Sequence, residues 1–286
     1  MINVEQTIRF FSTFVPKIRK IMKKLTLFLL LFTFLVVPDG ADARRPKRKT
    51  KARTTKVTKR KKRAPAKPVV LSIHDKNPFN ACEDTCQHIH GLDISHYQEQ
   101  VFWDAVGQET NMAFVYLKCT EGGDRVDARY ERNIEMAHQH GLKVGSYHFF
   151  RPMINLSEQL ENFRRQCLPA EQDLIPMLDV ETLGNLRPEA FCDSLSKFLV
   201  LMEEAYHQKP IVYTYRNFYN ENLVGRLDDY QLWIAMYADE QPVLADERDY
   251  TLWQYTSRGR IRGVDGEVDK NRLMEGHRLA DLRFIR

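Results

Sequence analysis

Two acidic residues close a short apolar segment in the middle of the chain, IPMLDVE at residues 175–181. Asp179 and Glu181 are two positions apart, and side chains with that spacing point to the same face of an extended strand. Two carboxylates held so close cannot both ionise freely, so one is expected to have a raised pKa and to keep a proton near neutral pH. The pair therefore predicts a general acid beside a charged partner, an arrangement that can cleave a glycosidic bond.

Two further acids occupy similar positions. Asp93 closes the segment HGLD, and Asp269 lies in EVDKN near the end of the sequence. A single acid in such a position is most often a helix cap or half of a surface ion pair. The Asp179-x-Glu181 pair is different, because charged groups at the end of an apolar strand cost desolvation free energy unless the protein uses them.

The elements that must position these acids are short strands alternating with helices. Seven apolar runs predict strands at His90–Ile94, Ala113–Lys118, Lys143–Phe149, Ile175–Asp179, Ile211–Tyr215, Leu232–Tyr237 and Leu252–Tyr255. Apolar residues at helical spacing predict three helices, at Tyr130/Ile134/Ala137, Leu156/Leu160/Phe163/Cys167 and Phe191/Leu195/Phe198/Met202. The first is expected to begin at a cap, Asp127, and to end at Gly141, and the third to begin at Pro188. This alternation predicts the α/β class, with one small TIM-like β/α barrel as the single catalytic domain at residues 90–286.

A barrel also predicts where its chemistry lies, because active sites in such folds sit at the carboxyl ends of the strands. Aromatic residues cluster at these ends, at Tyr147, Phe149, Phe150, Tyr213, Tyr215, Trp233, Trp253 and Tyr255. Aromatic ring faces at a wet cleft can hold sugar rings, although most aromatic residues on strands belong to the core.

The amino-terminal region is typical of an export signal. Leu25–Val37 is an uncharged run of 13 residues, shorter than the roughly 20 that a membrane-spanning helix needs. Lys23 and Lys24 precede it, and small residues before and at Ala43 predict a signal peptide at residues 1–43 that is cleaved after Ala43. Met22 is an alternative start, and an uncleaved membrane anchor is the competing interpretation.

The net charge of +5 hides two parts of opposite sign. Arg44–Pro68 holds 14 Lys and Arg and no acid, whereas residues 69–286 hold 23 basic and 35 acidic residues. The basic segment has too few apolar residues to fold and is expected to be a disordered linker or tail. Behind an export signal, electrostatic contact with anionic envelope polymers is a more reasonable function for it than nucleic-acid binding. Residues 69–89 form an amino-terminal extension without a recognisable pattern.

A second constellation lies in that extension and the start of the first strand. Cys82, Cys86, His88 and His90 could hold zinc, but their spacing differs from that of helical zinc ligands. In an exported protein a disulfide between Cys82 and Cys86, or from either to a distant cysteine, is an equally good interpretation. His148 on a predicted strand is expected to be a packed neighbour of the cleft.

Six blocks of the sequence carry a family resemblance. They are GLDIS at residues 91–95, YLKCTEG at 116–122, GSYHF at 145–149, LDVE at 178–181, WQY at 253–255 and GEVDKN at 266–271. In this order they resemble glycoside hydrolase family 25, the Chalaropsis-type lysozymes. The resemblance implies an irregular β/α barrel that cleaves the β-1,4 bond between N-acetylmuramic acid and N-acetylglucosamine in peptidoglycan, without metal or cofactor.

By the same resemblance, Glu181 is the general acid, Asp179 its acidic partner, and Asp93 and Asp269 are further catalytic acids of the cleft. The resemblance assigns substrate binding to Lys118, Tyr147, Tyr213 and Gln254. The expected protein is an exported monomeric lysozyme whose partner is peptidoglycan. The alternative is a non-catalytic envelope protein that uses the same barrel to bind carbohydrate.

Overall fold

The computed structural model describes residues 89–109 and 112–286, and within them the dominant element is a closed barrel. Its strands are β1 (His90–Ile94), β2 (Met112–Glu121), β3 (Arg125–Val126), β4 (Lys143–Phe149), β5 (Met177–Asp179), β6 (Ile211–Tyr215), β7 (Leu232–Ala235), β8 (Leu252–Gly259) and β9 (Val268–Leu273). Eight of them follow the order β1-β9-β8-β7-β6-β5-β4-β2, and pairing of β1 with β2 closes the ring. The short β3 pairs only with β2.

Strand direction is parallel around the barrel with one exception. The pairs from β1–β2 to β7–β8 are parallel, whereas β9 is antiparallel to both β8 and β1. Because β9 runs in the opposite direction, its amino end lies at the same mouth as the carboxyl ends of the parallel strands. The prediction of a small, irregular, TIM-like β/α barrel is confirmed.

Helices cover the outside of the strands. They are α1 (Trp103–Val106), α2 (Tyr130–Gln139), α3 (Leu156–Gln166), α4 (Pro188–Tyr206) and α5 (Arg216–Asn222). The Asn155 side chain accepts hydrogen bonds from two backbone N–H groups at the start of α3, and Pro188 begins α4 as expected. The expected cap of α2 was wrong: Arg129 is in the cap position, and the Asp127 carboxylate instead accepts from the Arg129 and His96 backbone N–H groups.

Large rings fill the barrel interior. Tyr116 and Trp233 are fully buried with their ring centroids 5.0 Å apart, and each such ring contributes roughly 1.5–3 kcal/mol by burial. Two glycines make room for the rings. A Cβ at Gly145 would lie 2.3 Å from Tyr116, and one at Gly91 would lie 2.2 Å from Phe114. The glycine that opens the GLDIS block therefore serves packing beneath the cleft.

Several element bounds differ from the predicted ones. The strand predicted from Ile175 begins at Met177, after Pro176, and the one predicted to reach Tyr237 ends at Ala235. The strand β9 was not predicted, because its sequence VDKNRL is mostly polar. No helix among the described residues is both long and apolar enough to cross a membrane. The predicted signal peptide, the basic tail, and Cys82, Cys86 and His88 lie outside the described residues.

Candidate active site

Four acids meet at one mouth of the barrel. Asp93 lies near the end of β1, Asp179 ends β5, and Glu181 follows two residues later. Asp269 is the second residue of β9 and pairs directly with Asp93 in the sheet register. The fourth acid thus comes from the start of a strand, because β9 is reversed.

Neutral amides hold Asp93. Its Oδ2 accepts a hydrogen bond from Gln254 Nε2 at 2.9 Å and another from Asn271 Nδ2 at 2.8 Å. Each amide has its own buried partner: Asn271 Oδ1 accepts from Trp233 Nε1, and Gln254 Oε1 accepts from the Tyr213 hydroxyl. Burial nevertheless raises the pKa of Asp93, because these hydrogen bonds only partly offset the desolvation of its carboxylate.

Asp179 and Glu181 interact electrostatically, as their spacing predicts. Asp179 is 7% exposed, and its Oδ1 is buried without a hydrogen-bond partner among the described residues. Burial, and then the charge of Glu181, raise the pKa of Asp179 well above its usual value. Glu181 is half-buried, and burial together with the charge of Asp93 raises its pKa, while Lys118 and Arg151 act in the opposite direction.

Asp269 completes the acidic group. Burial raises the pKa of Asp269 to about 8, with further contributions from the charges of Asp93 and Glu181. Each of the four acids therefore has a raised pKa, and the group retains protons in a pH range where isolated carboxyl groups are ionised. This is the electrostatic condition for a general acid.

The cationic side of the mouth is organised by Glu121, the last residue of β2. Lys118 Nζ lies 2.8 Å from Glu121 Oε2, and Arg125 Nη1 lies 2.8 Å from Oε1. Arg151 Nε donates to the same Oε1 at 3.0 Å. Burial alone would raise the pKa of Glu121, but the hydrogen bonds and charges of Lys118 and Arg151 lower it to about 2. Lys118 was predicted, whereas the roles of Glu121 and Arg151 were not.

The other predicted groove residues lie close to the acids. Tyr147 is 8% exposed and Tyr213 is 7% exposed, so only an edge of each ring reaches solvent. Burial, and then the negative charges of the cleft, raise the pKa of both phenols well above their usual value, which keeps their hydroxyls protonated as donors. Gln254 is buried and connects Asp93 to the hydroxyls of Tyr213 and Tyr237.

Glu181 lines one cavity, and a second cavity is lined by its neighbour Thr182. One, of about 470 Å³, is lined by Glu181, Tyr215 and Tyr237, and the two tyrosines are 41% and 58% exposed. The other, of about 830 Å³, extends past Thr182 to Glu121 and Arg151. Of the aromatic residues predicted at the strand ends, Tyr215 is exposed at the mouth, whereas Trp233 and Trp253 belong to the core. Tyr237 was not among them.

Histidines of the barrel have structural surroundings. His148 is fully buried, with Nδ1 2.7 Å from Thr120 Oγ1 and Nε2 3.2 Å from Gln159 Oε1. Burial lowers the pKa of His148 to about 4, so it is a neutral packed neighbour of the cleft. His90 Nδ1 lies 3.2 Å from the Tyr255 hydroxyl. Across residues 89–109 and 112–286, no three His, Cys, Asp or Glu side chains are grouped as metal ligands.

A β/α barrel with acids converging at its mouth is an arrangement that can hydrolyse glycosidic bonds. Comparison with known proteins gives the family: residues 92–264 match the sequence model of glycosyl hydrolases family 25. The chain belongs to this family. The predictions of family 25 and of a lysozyme-type glycoside hydrolase are confirmed.

Three similar proteins illustrate the relationship. The protein YegX of Escherichia coli K12 is 33% identical over 187 residues, which are 64% of this chain and 68% of YegX. The autolytic lysozyme of Clostridium acetobutylicum is 33% identical over 190 residues, 65% of this chain and 56% of that protein. The structure of a family 25 glycosyl hydrolase from Bacillus anthracis aligns with a TM-score of 0.61 at 30% identity, over 66% of this chain and 90% of that one.

Proposed function

We propose that the protein is an exported lysozyme that hydrolyses the β-1,4 bond between N-acetylmuramic acid and N-acetylglucosamine in peptidoglycan. The observation that carries the proposal is the pair Asp179 and Glu181, whose carboxyl groups have raised pKa values at a mouth where Glu181 lines a cavity of about 470 Å³. The similarity to the autolytic lysozyme of Clostridium acetobutylicum supports peptidoglycan as the substrate.

Glu181 is the general acid in this proposal. It is half-buried, and its raised pKa keeps a proton available for the oxygen of the leaving sugar. Asp93 contributes by its negative charge, which helps to hold that proton on Glu181 before substrate binds, and Asp269 is a further acid of the cleft. Proton donation to the leaving oxygen is the step that makes the sugar a good leaving group.

Asp179 is the partner that orients the substrate. It ends β5 at the mouth and is 7% exposed, and in this proposal its carboxyl group accepts a hydrogen bond from the N–H of a sugar N-acetyl group. That contact would align the acetyl oxygen for attack on the anomeric carbon as Glu181 protonates the leaving group. Lys118, Tyr147, Tyr213 and Gln254 line the substrate groove in the same proposal.

The rest of the chain serves export and retention. Residues 1–43 are proposed as the signal peptide, with Met22 as a candidate start, residues 44–68 as the basic tail, 69–89 as an extension and 90–286 as the catalytic barrel. The tail contacts anionic envelope polymers, and the exported enzyme acts as a monomer without nucleic acid. Salt-sensitive binding of a peptide covering residues 44–68 to anionic wall polymer is expected, and no binding at low salt would remove the tail's role.

Digestion of purified peptidoglycan tests the catalytic proposal. We expect the protein to release reducing ends, with N-acetylmuramic acid at the new reducing end when the products are analysed by mass spectrometry. The absence of new reducing ends from acid to neutral pH would exclude a lysozyme and leave the carbohydrate-binding alternative. N-acetylglucosamine at the new reducing end would refute the assigned bond.

A further inference from the structure

The carboxylate of Glu121 joins three cations at the edge of the mouth. Lys118, Arg125 and Arg151 all donate to its two oxygens, and the Glu121 residue is only 9% exposed. Two of the cations, Lys118 and Arg151, are the positive charges that act on Glu181. Glu121 therefore contacts both of the cations that lower the pKa of Glu181.

Both cations are also fixed by contacts other than Glu121. Lys118 Nζ lies 5.0 Å from the centre of the Phe149 ring, and the Arg151 guanidinium carbon lies 4.6 Å from the same centre. The Arg151 backbone is held at both ends by the buried Gln159 side chain, whose Oε1 accepts from Arg151 N and whose Nε2 donates to Arg151 O. Loss of the Glu121 charge would therefore leave two cations near Glu181 with one fewer negative charge between them.

We propose that Glu121 is a positioning residue that partly neutralises Lys118 and Arg151 beside Glu181 and so sets the upper pH limit of the reaction. This inference rests on the proposed role of Glu181 as the general acid. The other charged and titratable groups that act on the acid pair come from the surrounding strands and their ends, and they are Asp93, Asp269, Tyr213, Tyr215 and Tyr237. Glu121 differs from these groups because its own charge is constant across the working pH range.

The experiment is a pair of substitutions of opposite sign. In Glu121→Gln the unmasked cations stabilise ionised Glu181, so the high-pH limb of the kcat profile is expected to move to lower pH, by about one pH unit. In Arg151→Gln a cation is removed, and the same limb is expected to move to higher pH. Glu121→Asp keeps the charge and should restore most of the wild-type profile.

A matched control removes the same charge from another ion pair. Glu161 pairs with Arg165 on the exposed face of α3, where their side chains are 63% and 69% exposed, so Glu161→Gln should leave the profile unchanged. A uniform fall in kcat for Glu121→Gln without displacement of the limb would show a merely structural role and overturn the proposal. If Glu121→Gln fails to fold, the test rests on Arg151→Gln. A high-pH limb of the kcat profile that does not move in Arg151→Gln would overturn the proposal.

A second readout separates this inference from the proposed function. Carboxyl-carbon NMR of protein labelled at glutamate follows the titration of Glu181 directly, without substrate, and its resonance is assigned by its loss in Glu181→Gln. If the wild type does not cleave peptidoglycan, the proposed function fails, yet a lower titration midpoint of Glu181 in Glu121→Gln still supports the charge relation. An unchanged midpoint overturns it, whatever the activity.

Discussion

The two sides of the barrel mouth hold a carboxyl group in opposite ways. Asp93 on β1 is held by two neutral amides and has a raised pKa, whereas Glu121 on β2 is held by three cations and has a pKa of about 2. Desolvation acts to raise the pKa of both carboxyl groups. At Asp93 the two amides offset it only in part, whereas at Glu121 the hydrogen bonds and charges of Lys118 and Arg151 outweigh it.

Glu181 lies between these two sides and feels both, since Asp93 raises its pKa while Lys118 and Arg151 lower it. Glu181→Gln tests whether this carboxyl is the acid. We expect the release of reducing ends from peptidoglycan to fall by about 10²–10⁴-fold, the usual contribution of a general acid. Thermal unfolding should change little, because the amide has the same shape. Near-normal rates in a folded variant would contradict the assignment.

A substitution of Asn271 tests how much the side of the mouth around Asp93 depends on this amide donor. Asn271→Leu removes the partner of Trp233 Nε1 and one donor to Asp93, all within the barrel. We expect the free energy of unfolding to fall by about 2–4 kcal/mol, measured by urea denaturation, because buried polar groups are left without partners. Asn217→Leu at an exposed position of α5 serves as the control, with a change within about 0.5 kcal/mol. Equal losses of unfolding free energy in Asn271→Leu and Asn217→Leu would contradict the argument that the buried partners of Asn271 stabilise the barrel.

The raised pKa of Asp269 predicts that the stability of the protein depends on pH. Its pKa is about 8 in the folded protein against 3.8 as the ordinary value, so between these values the unfolded chain is ionised and the folded one is protonated. Asp269 therefore lowers stability progressively as the pH rises from about 4 to about 8. Asp269→Asn should gain on the order of 1 kcal/mol at pH 8 relative to pH 4 in urea denaturation, a value discounted for partial exposure. A gain that does not depend on pH would contradict the raised pKa.

The ion pair of Arg165 with Glu161 sharpens the comparison from outside the mouth. Both side chains are more than half exposed. An arginine–glutamate ion pair, which lowers the carboxyl pKa at Glu121, therefore has little effect on stability at this position. Arg165→Ala should change the free energy of unfolding by less than about 0.5 kcal/mol in chemical denaturation. A loss above about 1 kcal/mol would show that solvent exposure does not weaken ion pairs in this protein as argued.

The fold was largely predictable because its strands are apolar and its helices have regular spacing. The strands β1, β4 and β6 have the predicted bounds, since each is an apolar or aromatic run between turns. The sequence did not reveal β9, because four of its six residues are polar or charged and no apolar run marks the strand. Antiparallel closure of the barrel was accordingly not predicted.

The acids were predictable and their partners were not. Asp179 and Glu181 are close in sequence, so their spacing alone indicated a shared face. Asn271 reaches Asp93 from 178 positions away, and Arg151 reaches Glu121 from 30 positions away. Such contacts depend on strand register, which no local pattern encodes. Glu121 and Asn271 belonged to blocks that resembled the family, but Arg151 had no signal of its own.

The reversed strand β9 couples the completion of the cleft to the closure of the barrel. Without β9, the strands β1 and β8 have open edges, and the mouth lacks Asp269 and the Asn271 amide that holds Asp93. Closing the barrel and assembling the acid group are therefore the same event. Any opening of the pairs that β9 makes with its two neighbours also takes the acid group apart.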